Sequence, residues 1–187
     1  LGDHEKLCEA AQKALDAAIS VVKPELVVSE IGKVVEETIT SYGFKPIVNL
    51  TGHGLGRYSL HHGLSIPNTG LFGTGVLRND SVIAIEPFAT TGSGSVHEAT
   101  RAEIYQVVGD APVRSPTGRK ILKKADEMCG LPFSRRWLGI PKAELAIPTL
   151  LKQGNLYDYH VLSDVAGSFV AQFEHTVIVT EDEPIVT

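Results

Sequence analysis

Residues 171–179 read Ala-Gln-Phe-Glu-His-Thr-Val-Ile-Val, and this stretch says more about the fold than any other part of the chain. Its apolar and β-branched residues are typical of a buried strand. Side chains alternate across a strand, so Gln172, Glu174 and Thr176 are predicted to share one face, with His175 on the other. Glu174 and His175 are therefore not expected to bind one ion together.

A second acidic residue, Glu86, is embedded in apolar sequence at 83–88, Ile-Ala-Ile-Glu-Pro-Phe. A carboxylate in an apolar strand costs free energy unless a positive partner offsets it. The residues alone leave two kinds of partner open. One is a metal ion, and the other is a guanidinium from Arg57, Arg101 or Arg119 in an ordinary acidic α/β domain.

A glycine-rich segment that precedes both of these stretches in the chain supplies histidines. It contains Gly52-His53-Gly54 and, further on, His61-His62-Gly63. Glycines on both sides of a histidine let the backbone and a ligand approach closely. Imidazole and carboxylate ligands without thiolates suit Mn, Fe, Co or Zn. The spacing does not name the metal, because these residues are far apart in the chain.

Apolar spacing predicts helices over 3–22 and 29–42, ending near Pro24 and Gly43. Strands are predicted over 45–50, 81–88, 101–108, 155–161, 168–173 and 176–180. Ser115 followed by Pro116 predicts a helix start, and a second helical stretch follows over about 134–153. Helices followed by strands indicate an α/β (α+β) fold with helices packed on one sheet face.

Composition narrows the classes of function. The 187 residues are 43% hydrophobic and 21% charged, with a net charge of −5 and two cysteines. No apolar run approaches the ~18 residues that cross a bilayer. No basic stripe stands out, which argues against a nucleic-acid surface. Cys8 and Cys129 are too few and too far apart for a disulfide framework.

Four segments together resemble a known family: 49–53 (Asn-Leu-Thr-Gly-His), 85–88 (Ile-Glu-Pro-Phe), 135–138 (Arg-Arg-Trp-Leu) and 171–176. They look like type 2 methionine aminopeptidase, archaeal branch, over essentially all 187 residues. The resemblance implies the α/β pita-bread fold, with residues 1–111 and 154–187 in the catalytic domain. It also implies that residues 112–153 form the helical insertion subdomain of type 2 enzymes.

The resemblance implies a cytoplasmic metalloaminopeptidase that removes the N-terminal methionine of nascent peptides. Its cofactors would be two divalent metal ions, Co, Mn, Fe or Zn. A missing N-terminal half and the ribosome are further implied partners, while DNA and membranes are not. Two alternatives in neighbouring classes are an Xaa-Pro dipeptidase and a non-catalytic pita-bread binding protein. Retention of the metal-type residues argues against the second.

The metal and catalytic roles that the resemblance implies fall on four residues. His53, Glu86 and Glu174 would be metal ligands, with Glu174 bridging the two ions. Glu86 would also carry a proton during the reaction. His61 would hydrogen-bond the scissile carbonyl and its tetrahedral intermediate.

The substrate roles are also implied residue by residue. Leu60, His61 and Tyr159 would contact the substrate, Leu60 and Tyr159 lining the pocket for the methionine side chain. Gln172 is our own addition, since it shares the face of Glu174 and is placed to orient that ligand.

The resemblance also implies two aspartate ligands and one histidine that this chain lacks. The second aspartate is expected just before Asp3, near the start of the sequence. The chain therefore resembles the C-terminal portion of such an enzyme, and it is expected to be inactive by itself.

Overall fold

Four helices and eleven strands make up the regular structure of residues 4–187, the part of the chain that the computed structural model describes. Asp3, near which a metal ligand was expected, lies outside these residues. The helices are α1 (Glu5–Ser20), α2 (Val28–Ser41), α3 (Pro116–Asp126) and α4 (Ala143–Lys152). The strands are β1 (Lys45–Pro46), β2 (Thr51–Gly54), β3 (Ser65–Pro67), β4 (Val82–Ile85), β5 (Phe88–Thr90), β6 (His97–Val107), β7 (Phe133–Ser134), β8 (Leu156–Ser163), β9 (Val170–Gln172), β10 (His175–Ile178) and β11 (Ile185–Val186).

The first two helices confirm the prediction from apolar spacing. Leu7 and Leu15 of α1 and Ile31 and Ile39 of α2 are almost fully buried, while the polar faces of both helices are exposed. α1 packs against α2 and against β4, β5 and β9, whereas α2 also packs against β1 and β3. The two helices thus cover strands from two sheets and form the main hydrophobic core with them.

The larger sheet has the order β11-β10-β4-β2-β3, and all its neighbouring strands are antiparallel. The smaller sheet has the order β1-β5-β9. The sequence predicted one strand over 81–88, and this is wrong, since β4 and β5 belong to different sheets. The break falls at Glu86-Pro87, where proline has no N–H to donate to a sheet.

The chain divides into two compact units. The first runs to His97 and resumes over Ser163–Thr187, and it contains both sheets described above. The second, Glu98–Leu162, contains α3, α4 and a sheet of order β7-β6-β8 around its own core.

The predicted start of α3 is confirmed within the second unit. Pro116 is the first residue of the helix, and the Ser115 side chain accepts a hydrogen bond from the Gly118 N–H at 3.2 Å. The helical stretch predicted over 134–153 is shorter than expected, with a 3-10 turn at Arg135–Trp137 followed by α4. That 112–153 is an insertion subdomain stays a prediction. Within residues 4–187, no helix is both long and apolar enough to cross a membrane.

A buried carboxylate holds two loops of the first unit together. Asp164 is 7% exposed, and it accepts hydrogen bonds from the Thr90 hydroxyl at 2.8 Å, the Ser93 N–H at 3.0 Å and the Val165 N–H at 2.6 Å. The Ser93 hydroxyl also donates to it. This hydroxyl, helped by the backbone donors, holds the pKa of Asp164 well below its ordinary value of 3.8.

Asp164→Asn is expected to destabilise the protein by ~1–3 kcal/mol at neutral pH, because an amide group would face donors that need an acceptor. The folded-state pKa of Asp164 is lowered, so its stabilisation is present above the unfolded pKa and is lost as the pH falls through the folded pKa. Urea unfolding of both proteins should therefore show a gap that narrows between about pH 5 and about pH 2. Asp182→Asn, at an exposed position, is the control. Equal stability of the two variants would contradict the prediction.

Candidate active site

Strand register brings the polar residues of three distant segments onto one face of the larger sheet. His53 of β2 lies opposite Ala84 of β4, and Thr176 of β10 lies opposite Ala84 from the other side. Because side chains alternate along a strand, Glu86 lies on the same face as Ala84, and Glu174 on the same face as Thr176. His53, Glu86 and Glu174 therefore converge, although up to 121 positions separate them in the sequence.

The glycines on both sides of His53 allow neighbouring backbone to pack closely against β2. A Cβ atom on Gly52 would overlap with the carbonyl oxygen of Ala84 in β4. A Cβ atom on Gly54 would overlap with the carbonyl oxygen of His62 in the following loop. The predicted close approach at these glycines is thus an approach of neighbouring backbone to β2.

The side chains are in direct contact. The Nε2 atom of His53 lies 3.2 Å from Oε1 of Glu86, and both side chains are largely buried. The amide of Gln172 donates a hydrogen bond to Oε2 of Glu174 at 3.1 Å. The His61 ring meets the His53 ring edge to face, with 4.4 Å between their centroids. The histidine and the two carboxylates that the sequence singled out thus form one cluster with His61 and Gln172.

Burial and like charge perturb this cluster. Burial, with a further contribution from the negative charge of Glu174, raises the pKa of Glu86 to about 7, against the effect of a hydrogen bond from Gln172. Burial, followed by the neighbouring His53, lowers the pKa of His61. The largely buried carboxylate of Glu86, beside the negative charge of the more exposed Glu174, creates a demand for positive charge.

In the part of the chain that the structure describes, no arginine or lysine pairs with either carboxylate. Among residues 4–187, neither Glu86 nor Glu174 has a lysine or arginine nitrogen within 4 Å. Of the guanidinium groups considered from the sequence, that of Arg101 pairs with Glu103, and that of Arg119 donates to backbone carbonyls. Pairing with arginine therefore does not explain the two acidic residues.

A divalent metal ion is the other kind of partner that the sequence left open, and the three side chains offer the types of donor atom that such an ion binds. His53 offers an imidazole nitrogen, while Glu86 and Glu174 offer carboxylate oxygens, the combination that suits Mn, Fe, Co or Zn. In the described part of the chain, however, no three His, Cys, Asp or Glu side chains are arranged closely enough to hold one ion. The cluster thus fits part of a metal site in its donor types, and residues 4–187 do not complete it.

The predicted substrate residues lie in both units. Leu60 is 40% exposed and lies in the loop beside His61 in the first unit. Tyr159 lies on β8 of the second unit, where its hydroxyl donates a hydrogen bond to Oε1 of Gln106 at 2.6 Å. Their roles in substrate binding stay predictions. Sequence analysis did not single out Gln106, since its partner is 53 positions away and no local pattern marks the pair.

The chain matches the model of metallopeptidase family M24 over residues 1–181. It is 46% identical over 191 residues to a methionine aminopeptidase of Thermococcus onnurineus, and the match covers 99% of this chain and 65% of that protein. Other archaeal methionine aminopeptidases match at similar identity. The chain therefore belongs to metallopeptidase family M24, and it spans about 65% of the length of the curated relatives it matches.

Solved structures support the fold assignment. A methionine aminopeptidase from Thermotoga maritima matches with a TM-score of 0.60 and 25% identity, covering 97% of this chain and 50% of that one. A thermophilic Arx1 matches with a TM-score of 0.82 at 19% identity, covering 97% of this chain and 56% of that one. The second match concerns the fold alone. The predicted pita-bread α/β fold is confirmed by these neighbours and by the family.

Proposed function

We propose that this chain is the part of a metalloaminopeptidase that carries His53, Glu86 and Glu174, and that the assembled enzyme removes the N-terminal methionine of peptides. The observation that carries the proposal is the convergence of these three side chains on one sheet face, with no lysine or arginine partner among the described residues. Membership of family M24 and the names of the archaeal relatives support it.

His53, Glu86 and Glu174 would hold divalent metal, and we keep two ions as the proposed number, each Co, Mn, Fe or Zn. When bound, such ions lower the pKa of a coordinated water and polarise a carbonyl oxygen. Gln172 would orient Glu174 through the hydrogen bond that joins their side chains.

The remaining steps are assigned to side chains of this chain. His61 would donate a hydrogen bond to the scissile carbonyl and to the negative oxygen that develops there. Glu86 would accept a proton at its carboxylate and pass it to the leaving amine. Leu60 would contact the methionine side chain, and discrimination of one methylene in an apolar pocket is worth ~1–3 kcal/mol.

Three donors are fewer than the five that the family resemblance implies. We therefore propose that this chain by itself binds metal weakly and has little activity until two aspartates and a histidine are supplied. Nascent peptides, the ribosome and a cytoplasmic location stay proposals of the same kind.

The test compares this chain with and without the N-terminal segment of an archaeal relative supplied in trans. With Mn²⁺ present, the mixture is expected to release methionine from Met-Ala-Ser and to leave an Xaa-Pro dipeptide intact. Turnover by the chain alone would contradict the proposed ligand count. Cleavage of the Xaa-Pro dipeptide in preference to the methionyl peptide would assign the site to a dipeptidase.

His61→Ala in the assembled enzyme is expected to lower kcat by roughly 10²–10³-fold, the usual effect of losing one donor to a developing oxyanion. Bound metal, measured by elemental analysis, is expected to be unchanged, since His61 is proposed as a substrate contact. The control is His62→Ala at the exposed neighbouring position. Loss of metal in His61→Ala would reassign this residue as a ligand.

A further inference from the structure

The loop that follows β3 in the first unit exposes two large apolar side chains. Leu71 is 81% exposed and Phe72 is 61% exposed, and we call this pair the apolar tip. Single exposed apolar residues are common on protein surfaces, so the apolar tip alone does not indicate an interface. Its surroundings decide what it can bind.

The backbone on both sides of the apolar tip is fixed to helix α2. The Gly70 N–H donates a hydrogen bond to Oε2 of Glu36 at 2.9 Å, and the Gly75 carbonyl accepts one from the Val28 N–H at 2.9 Å. Between them, a Cβ atom on Gly73 would overlap with the Val28 side chain. The apolar tip is therefore held in place, and a segment that is already ordered loses less entropy on binding.

A cavity opens close to the apolar tip. Its volume is about 690 Å³, within the range of cavities that bind ligands. Five apolar side chains contribute to its lining: Leu55, Leu64, Val76, Val82 and Ile83. Phe72 and Val76 are four positions apart in the chain, so their Cα atoms lie within about 15 Å of one another. The apolar tip and the cavity are thus neighbours on the surface of the first unit.

The exposed part of the cavity lining carries one charge of each sign. Arg78 and Asp80 both line the cavity and are exposed. Among residues 4–187, Arg78 has no carboxylate oxygen within 4 Å, and Asp80 has no lysine, arginine or histidine nitrogen within that distance. Asp80 accepts a hydrogen bond from the neighbouring Asn79 amide at 3.2 Å. Within these residues, both charges are therefore available to an ion-pair partner from another molecule.

These features fit a second copy of the chain. A two-fold axis places the same surface of two chains face to face, so the apolar tip of each chain would meet the cavity of the other. Arg78 of each copy would then meet Asp80 of the other. Apolar contacts at the centre and charged groups at the rim are the usual arrangement of a protein interface. An anionic lipid surface or a nucleic acid would instead bring negative charge against Asp80.

We propose that the apolar tip, the neighbouring cavity and the Arg78–Asp80 rim form the contact surface of a two-fold symmetric dimer of this chain. The dimer is independent of the proposed function, because neither the apolar tip nor the rim includes a residue of the His53 cluster. The contact consists of one loop and one cavity from each chain, so the association is expected to be weak and reversible.

Sedimentation velocity of the metal-free chain tests the dimer directly. Over about 1–200 µM, the wild type is expected to show a monomer–dimer equilibrium. Phe72→Ser is expected to weaken the dimer at least tenfold, the scale for removing an aromatic side chain from the centre of an interface. The matched control is Phe169→Ser, in another loop of the same unit, where the side chain is 52% exposed. The control is expected to dimerise like the wild type, and circular dichroism verifies that both variants are folded.

The rim charges provide a test that is specific to two-fold pairing. Arg78→Glu and Asp80→Lys each place like charges together at both ends of the rim, so each variant alone is expected to dimerise at least tenfold more weakly. In an equimolar mixture, the introduced carboxylate meets the introduced amine, while the original Arg78 and Asp80 meet as before. The mixed dimer is therefore expected to form with an affinity within about threefold of the wild type.

Two features of the chain support the design of these charge variants. Asp80 has a φ of 63°, and Lys142 adopts a φ of 59°, so lysine is compatible with this backbone conformation. Lys6→Glu makes the same change in net charge as Arg78→Glu at an exposed position on α1, and it is expected to dimerise like the wild type.

Four outcomes would overturn the proposal. The wild type could remain monomeric over the whole concentration range. The control variants could lose association as strongly as Phe72→Ser and Arg78→Glu, which would show association without a defined surface. The mixture of charge variants could fail to associate, which would exclude pairing across a two-fold axis. Dissociation of the dimer by the N-terminal segment of an archaeal relative would assign the surface to that segment.

Discussion

Glu174→Gln is expected to weaken Mn²⁺ binding by this chain by at least roughly 10- to 100-fold, since that is the usual loss when a residue that only supports a ligand is replaced, and Glu174 is proposed as a ligand itself. The substitution keeps the size of the side chain and its contact with Gln172, but it removes a negative charge from the site. With Glu174 neutral, the like-charge contribution that raises the pKa of Glu86 is also lost. Calorimetric titration with Mn²⁺ at neutral pH measures the change.

Glu181→Gln makes the same chemical change at an exposed position a few residues further along the chain, and it is expected to bind Mn²⁺ like the wild type. Glu86→Gln is expected to behave like Glu174→Gln, because its carboxylate faces His53 in the same cluster. If both cluster variants bound Mn²⁺ as tightly as the control, the three side chains would not be ligands, and the proposed peptidase would lose its main support.

Gly54→Ala is expected to destabilise the protein by about 3 kcal/mol, at the upper end for inserting a methyl group into a packed site. The added Cβ would overlap with the His62 carbonyl oxygen. Relief by movement of β2 is limited, because the Gly54 N–H donates to Leu64 and its carbonyl accepts from the His62 N–H, both at 2.8 Å. Urea unfolding monitored by circular dichroism measures the loss.

Gly43→Ala is the matched comparison for Gly54→Ala. Gly43 has a φ of 85°, and no atom lies within 4 Å of the position that its Cβ would take. A cost of ~1–2 kcal/mol is therefore expected from backbone strain alone. If Gly54→Ala destabilised the protein no more than Gly43→Ala, the loop that carries His61 would not be held against β2 as described.

Local sequence patterns predicted α1, α2 and the start of α3. The spacing of Leu7, Leu15, Ile31 and Ile39 predicted α1 and α2, because a helix of 3.6 residues per turn places these residues on one side. The start of α3 was predicted at Ser115, since a serine oxygen can accept a hydrogen bond from a free N–H of the first turn. Both signals act over a few residues.

The same patterns failed where the outcome depended on distant partners. The apolar run at 81–88 was predicted as one strand, but the chain changes sheet at Glu86-Pro87. The first half, β4, joins the larger sheet by pairing with β10. The second half, β5, joins the smaller sheet by pairing with β1 and β9.

By itself, the sequence determined the kinds of chemical group at the candidate site, since His53, Glu86 and Glu174 each stood out from glycine-rich or apolar surroundings. Only the tertiary structure decided that these groups meet, because their proximity depends on the register of β2 and β10 against β4. Register is fixed by backbone hydrogen bonds between strands that lie far apart in the chain. No local pattern encodes it, and for that reason the cluster, and the lack of an arginine partner for it within residues 4–187, could be found only in the folded chain.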